Sequence, residues 1–112
     1  MRLAKRELQS LLVGYYRAGQ LIFAGRVGSG FSLKEGRELM ATLRKHGRSD
    51  PPFVSVPREY RRGVNWVEPH MAVEVKFTTW TSDGILRHPS FEGAREDKSP
   101  ESVVIERPVG VR

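Results

Sequence analysis

The sequence contains no cysteine, which removes disulfide frameworks and thiolate metal sites and fits a reducing compartment. Histidine is scarce as well: His46, His70 and His88 stand far apart along the chain, so no metal site is expected from them. No apolar run approaches the roughly 20 residues of a membrane-spanning helix. The opening stretch MRLAKRELQS is polar where a secretory signal needs an apolar segment. These absences lead to the expectation of a soluble, cytoplasmic chain with no membrane partner. With 112 residues, one small domain exhausts the available core and a second is not expected.

What the sequence has in excess is positive charge. Nineteen Lys and Arg against thirteen Asp and Glu leave a formal +6, a balance that suits a polyanionic partner. The excess is uneven. Residues 1–62 hold thirteen basic and five acidic side chains, a difference of +8, whereas 63–112 hold six and eight, a difference of −2. The basic half includes Arg17, Arg26, Arg44, Lys45, Arg48, Arg58, Arg61 and Arg62.

Local patterns divide the chain. LLVGYYRAGQLIFAGRV reads as two strands, about 11–16 and 21–27, turning through Arg17-Ala18-Gly19-Gln20 with Gly19 supplying positive φ. GSGF then breaks the strand. Ser32 and Glu35 have capping-box spacing, so a helix follows, with Gly36, Leu39, Met40 and Leu43 as its apolar stripe and Gly47 as its end. Residues 48–62, with Pro51, Pro52 and Pro57, show no period and predict a long surface connection. MAVEVKFTTW alternates as one half-buried strand over 71–80, with Val73, Val75, Phe77 and Thr79 on one face. Ser82-Asp83-Gly84 is a turn signal, residues 85–88 begin another strand, and SVVIER at 102–107 is a last one. RHPSFEGAREDK (87–98) lies between them, irregular and rich in cations. Five or six strands with one helix and no βαβ alternation predict a small antiparallel barrel or sandwich. Among small barrels the oligonucleotide-binding (OB) fold suits the basic, loop-rich surface best.

The ordered series LLVGYY, LIFAGRVGSGFS, VNWVEP and AVEVKFTTWTSDGILRHPSFEGAREDKSPE resembles the C-terminal OB domain of ATP-dependent DNA ligases. It is most similar to the ligase portion of the bacterial repair ligases that work with Ku in end joining. The resemblance covers nearly the whole chain and closes on Arg95-Glu96-Asp97-Lys98, the family's Arg-x-Asp-Lys motif VI. It implies an all-β Greek-key OB barrel with one helix over 10–107, a linker from a nucleotidyltransferase domain at 1–9, and a tail at 108–112. It also implies two working orientations. In one, Arg95 and Lys98 contact the β and γ phosphates of ATP during enzyme adenylylation. In the other, Arg26, Gly28, Ser29 and Gly30 approach DNA phosphates while Arg87 and His88 face the nick. Eukaryotic relatives place a Phe wedge where this chain has His88.

The family forms its lysyl-AMP in a Lys-x-Asp-Gly motif, and this chain has none; alone, it is expected to ligate nothing. ATP and a divalent cation such as Mg are then expected to be bound mainly by the nucleotidyltransferase domain, in cis or in trans. Nicked duplex DNA and Ku are the expected partners, and the expected setting is a monomer at the bacterial nucleoid. Two alternatives are a free-standing OB module for single strands, which needs exposed aromatics, and the OB domain of an RNA ligase or capping guanylyltransferase. WVEP and LRHPSF favour the DNA ligase resemblance over the latter. Trp66, Trp80 and Phe91 are expected in the core and not as base platforms.

Overall fold

A computed structural model describes residues 10–69 and 71–95. The chain begins as an antiparallel ribbon of β1 (Leu11–Arg17) and β2 (Gln20–Val27). Arg17 pairs with Gln20, so the turn is the two residues Ala18 and Gly19, and both have positive φ (51° and 79°). This double left-handed step matches the right-handed twist of the flanking strands. Gly19 enters it at no steric cost, but Ala18 does not.

Helix α1 (Leu33–Arg44) starts at the expected capping box: the Glu35 amide donates to Ser32 Oγ at 3.0 Å, and the Ser32 amide donates to the Glu35 carboxylate at 3.0 Å. Gly36 and Leu39 are buried beneath it, with Met40 and Leu43 half-buried. The helix ends earlier than Gly47 predicts. Lys45 caps it in right-handed conformation, the His46 amide reaches back to the Leu43 carbonyl at 2.9 Å, and Gly47 instead forms an antiparallel bridge with Val67. Arg48 reinforces that bridge from both chain directions. Its amide donates to the Trp66 carbonyl at 2.9 Å, and its guanidinium lies 3.2 Å from the Asp50 carboxylate and 3.3 Å from that of Glu68. The hydrogen bond and charge of Arg48 hold the Asp50 carboxyl below the usual Asp range.

The segment 48–62 is a surface connection as its prolines predict, with most of its residues exposed, and a few of them pack against the ribbon. Val56 is buried at 3 % exposure, Phe53 meets Phe23 edge-on with centroids 5.3 Å apart, and the Val54 amide donates to the Leu21 carbonyl at 2.9 Å. A short 3-10 turn (Arg58–Tyr60) follows, and Arg61 Nε donates to the Val56 carbonyl at 2.8 Å.

The second half departs further from its periodicity. The alternating run over 71–80 is two strands. β3 (Ala72–Lys76) pairs with β6 (Ser90–Arg95), whereas β4 (Thr79–Trp80) pairs with β5 (Leu86–Arg87). The chain changes partner at Phe77 and Thr78, which leaves Phe77 39 % exposed beside the half-buried Trp80. β6 takes the middle of the stretch read as irregular. Its only large apolar residue, Phe91, enters the core with Val27 and Leu39, and Phe31 stacks on it at 4.7 Å. Burying side chains of this size contributes about 1.5–3 kcal/mol each. Trp66 and Trp80 are half-buried, packing edge-on against Phe53 and Tyr15.

Among the described residues the result is mostly strand with one helix: three small, open, two-stranded antiparallel sheets. The predicted strand at 102–107 lies outside the described residues. Among the described residues no helix is long and apolar enough to cross a membrane.

Candidate nucleic-acid interface

The residues singled out from the sequence fall on three parts of this frame. Arg26 is placed by a bulge. Val13 opposes Gly25 and Gly14 opposes Phe23, so Ala24 is an extra residue in β2. The insertion puts Phe23 and Arg26 on the same face. Both meet the Tyr60 ring, Phe23 with centroids 4.9 Å apart and the Arg26 guanidinium 5.4 Å from the centroid. Arg26 is exposed, as are Arg58, Arg61 and Arg62, which flank Tyr60 in the chain. Tyr60 ties Arg26 to Phe23, and nothing in the sequence pattern singled it out.

Gly28, Ser29 and Gly30 leave β2 and dock on the start of β6. The Phe91 amide donates to the Ser29 carbonyl at 2.8 Å. Gly30 has φ +94°, and a β-carbon there would overlap the Phe91 backbone and come 2.7 Å from Ser90 Oγ. Its lack of a side chain is thus used against β6 itself. This contact joins the glycine segment to the connection His88-Pro89 just ahead of Ser90.

Arg87 and His88 occupy that connection. Both are exposed, and the Arg87 side chain has no hydrogen-bond or ion-pair partner among the described residues. His88 holds φ +55°, a region that costs a non-glycine residue on the order of 1 kcal/mol or more. Thr78 braces the pair. Its amide and its hydroxyl each lie 3.0 Å from the Arg87 carbonyl, and Oγ1 is 3.3 Å from His88 Nδ1. Sequence patterning alone gave no sign of Thr78.

Arg95 ends β6 at the opposite extreme, roughly 15 Å from Ser90 at the usual strand rise. Its guanidinium lies 3.5 Å from the Glu74 carboxylate, and the two side chains are 38 % and 59 % exposed. A pair this open to water contributes about 0–1 kcal/mol. Lys98 lies outside the described residues. Among the described residues no three His, Asp or Glu side chains gather as a metal site.

Among the described residues, six strands and one helix in small open antiparallel sheets, together with the ligase-domain neighbour below, fit a β domain of the OB-fold class. The family model of the ATP dependent DNA ligase C terminal region matches residues 4–98, and the chain belongs to that family. It is 41 % identical over 98 residues to the multifunctional non-homologous end joining protein LigD of Mycobacterium bovis, covering 87 % of this chain and 13 % of that protein. To LigD of Pseudomonas aeruginosa it is 39 % identical over 113 residues, covering 96 % and 13 %. The chain thus spans about an eighth of the length of these relatives. Among solved structures, the ligase domain of Mycobacterium tuberculosis LigD superposes with a TM-score of 0.83 at 40 % identity, over 88 % of this chain and 32 % of that one. A mycobacterial DNA ligase D complexed with ATP and MES superposes with a TM-score of 0.80 at 40 % identity, over 88 % and 33 %.

Proposed function

We propose that this chain is the DNA-gripping and ATP-orienting domain of an end-joining DNA ligase, acting with a nucleotidyltransferase domain to which residues 1–9 lead. In the DNA-bound orientation, Arg87 and His88 face the nick while Arg26, Ser29 and the backbone at Gly28 and Gly30 meet flanking phosphates. Such contacts fix register and supply affinity without reading base sequence. In the other orientation, Arg95 and Lys98 hold the β and γ phosphates of ATP. Arg grips two oxygens at once and Lys acts as a point charge, and together they stabilise the charge that develops on the departing pyrophosphate. ATP supplies the adenylyl group for sealing. The divalent cation, such as Mg, belongs to the nucleotidyltransferase domain. Without a Lys-x-Asp-Gly motif this chain accepts no adenylyl group by itself. The setting is repair of breaks at the bacterial nucleoid, as a monomer, with Ku as a further partner.

One observation supports this reading above the others: in a chain of the ligase family, Arg87 ends β5 just ahead of β6 with no side-chain partner among the described residues, while Arg95 ends β6 in a solvent-exposed ion pair with Glu74. The test uses the chain assembled with its nucleotidyltransferase domain. Arg95→Ala and Lys98→Ala are expected to slow enzyme adenylylation about one to two decades while sparing the sealing of a pre-adenylylated nick. Arg87→Ala is expected to show the reverse bias. If Arg95→Ala spares adenylylation and damages only sealing, the assignment of the two arginines fails.

A further inference from the structure

Thr78 stands where the chain leaves the β3 ladder for the β4 ladder, and its hydroxyl touches both residues of the Arg87–His88 connection. The hydroxyl has one proton to give. The Arg87 carbonyl can only accept, so the 3.0 Å contact takes that proton and leaves the Oγ1 lone pairs toward His88 Nδ1 at 3.3 Å. That ring nitrogen must then be the donor. The hydrogen bond made by one ring nitrogen decides what the other can do, so Nε2 is left as the acceptor of the neutral ring. We propose that Thr78 is a positioning residue for nick recognition: one hydroxyl fixes the backbone at Arg87 and sets His88 as the Nδ1–H tautomer, presenting Nε2 to a hydrogen-bond donor on the nicked duplex.

The surrounding geometry accounts for why such a brace is needed. His88 holds a left-handed backbone that its side chain does not favour (φ +55°), and on the other side Gly30 clamps Ser90 and Phe91. With the backbone restrained from both sides, the ring's remaining freedom is rotation and tautomer, and the contact to Thr78 constrains these. A Phe wedge acts by shape and needs no tautomer. An imidazole in the same place discriminates only if its nitrogens are assigned.

The proposal rests on the reading that Arg87 and His88 face the nick, and the experiment separates the two. Thr78→Val keeps the side-chain shape and the amide bond to the Arg87 carbonyl but loses the hydroxyl; Thr78→Ser restores it. Two quantities are read on the whole chain: the protonation of each His88 ring nitrogen by 15N–1H correlation spectra of the neutral ring, and the affinity at low salt for a nicked duplex against the same duplex intact. Thr78→Val is expected to abolish the Nδ1–H preference and to reduce the preference for the nick about three- to tenfold, with Thr78→Ser behaving as wild type. An unchanged ring in Thr78→Val overturns the proposal. So does a changed ring with intact nick preference, provided Arg87→Ala weakens nick binding. If Arg87→Ala also leaves nick binding intact, the reading of this edge as nick-facing has failed, and the positioning role falls with it.

Discussion

Among the described residues, two turns force an L-residue into the left-handed backbone region, and each follows an arginine: Arg17-Ala18 at the tip of the first ribbon and Arg87-His88 between β5 and β6. Their side chains are employed differently. Arg17 is turned back on its own strand, donating to the Tyr15 hydroxyl at 3.1 Å with its guanidinium 5.6 Å from the same ring's centroid, and Ala18 presents nothing. Arg87 has no such partner among the described residues, and His88 is held by Thr78. The same backbone strain is thus a tolerated cost of a tight hairpin in one place. In the other it is retained at a residue with a ring to present, with bracing on both sides.

The sharpest way to break this comparison is to remove both arginines in the assembled ligase. Arg87→Ala is expected to slow sealing of a pre-adenylylated nick by about one to two decades, and Arg17→Ala to change it less than about twofold, since its cation is already spent on Tyr15. Equal losses in single-turnover sealing would erase the distinction. A stability measurement comes next. Gly30→Ala must bear both a left-handed φ and an overlap with the Phe91 backbone and is expected to cost about 3 kcal/mol. Gly19→Ala meets nothing within 4 Å and is expected to cost only about 1 kcal/mol. Urea titrations of the two variants rank them directly.

A smaller effect separates the turns by gain. Ala18→Asn places a residue suited to this turn and is expected to stabilise by about 0.5–1 kcal/mol with DNA binding unchanged. His88→Asn relieves the same backbone strain but should lower the preference for a nicked over an intact duplex; a rise in both properties would contradict the role given to the ring. The smallest effect is a control remote from both turns. The folded Asp50 carboxyl sits below its ordinary range because of Arg48. Its contribution is therefore present above the ordinary Asp titration and lost as pH falls through the lowered folded value. Arg48→Gln should narrow the difference in melting temperature between neutral and acid pH, and an unchanged acid sensitivity would remove Asp50 from the account.

How legible these features were from sequence follows the distance over which each is determined. The ribbon, its turn and the cap of α1 come from signals within a few residues: an apolar run, Gly19, and Ser32 three residues before Glu35. β6 was missed because Phe91 is its single strong apolar residue. An irregular register between Glu74 and Val75 against Gly93 and Phe91 also spoils its period of two. The break in the run at 71–80 was invisible for a related reason. Alternation reports that a segment is extended, and says nothing about a change of partner halfway along it. Among the site residues, Arg87 and Arg95 stood out through their motifs, whereas Tyr60, Glu74 and Thr78 matter only through contacts with residues remote in sequence. Gly30 was noticed as a glycine, but its use against Phe91 needed the strand that was missed.

The open space around Ala18 and Gly19 has a practical corollary. Both residues are exposed, and a β-carbon on Gly19 would have no neighbour within 4 Å, so this tip is the natural place to attach a fluorophore or graft a short peptide tag. A reporter there would ride on the tip of the β1–β2 ribbon. Paired with a second dye on a nucleotidyltransferase domain, it would test the proposed swing between two orientations as a distance followed one molecule at a time.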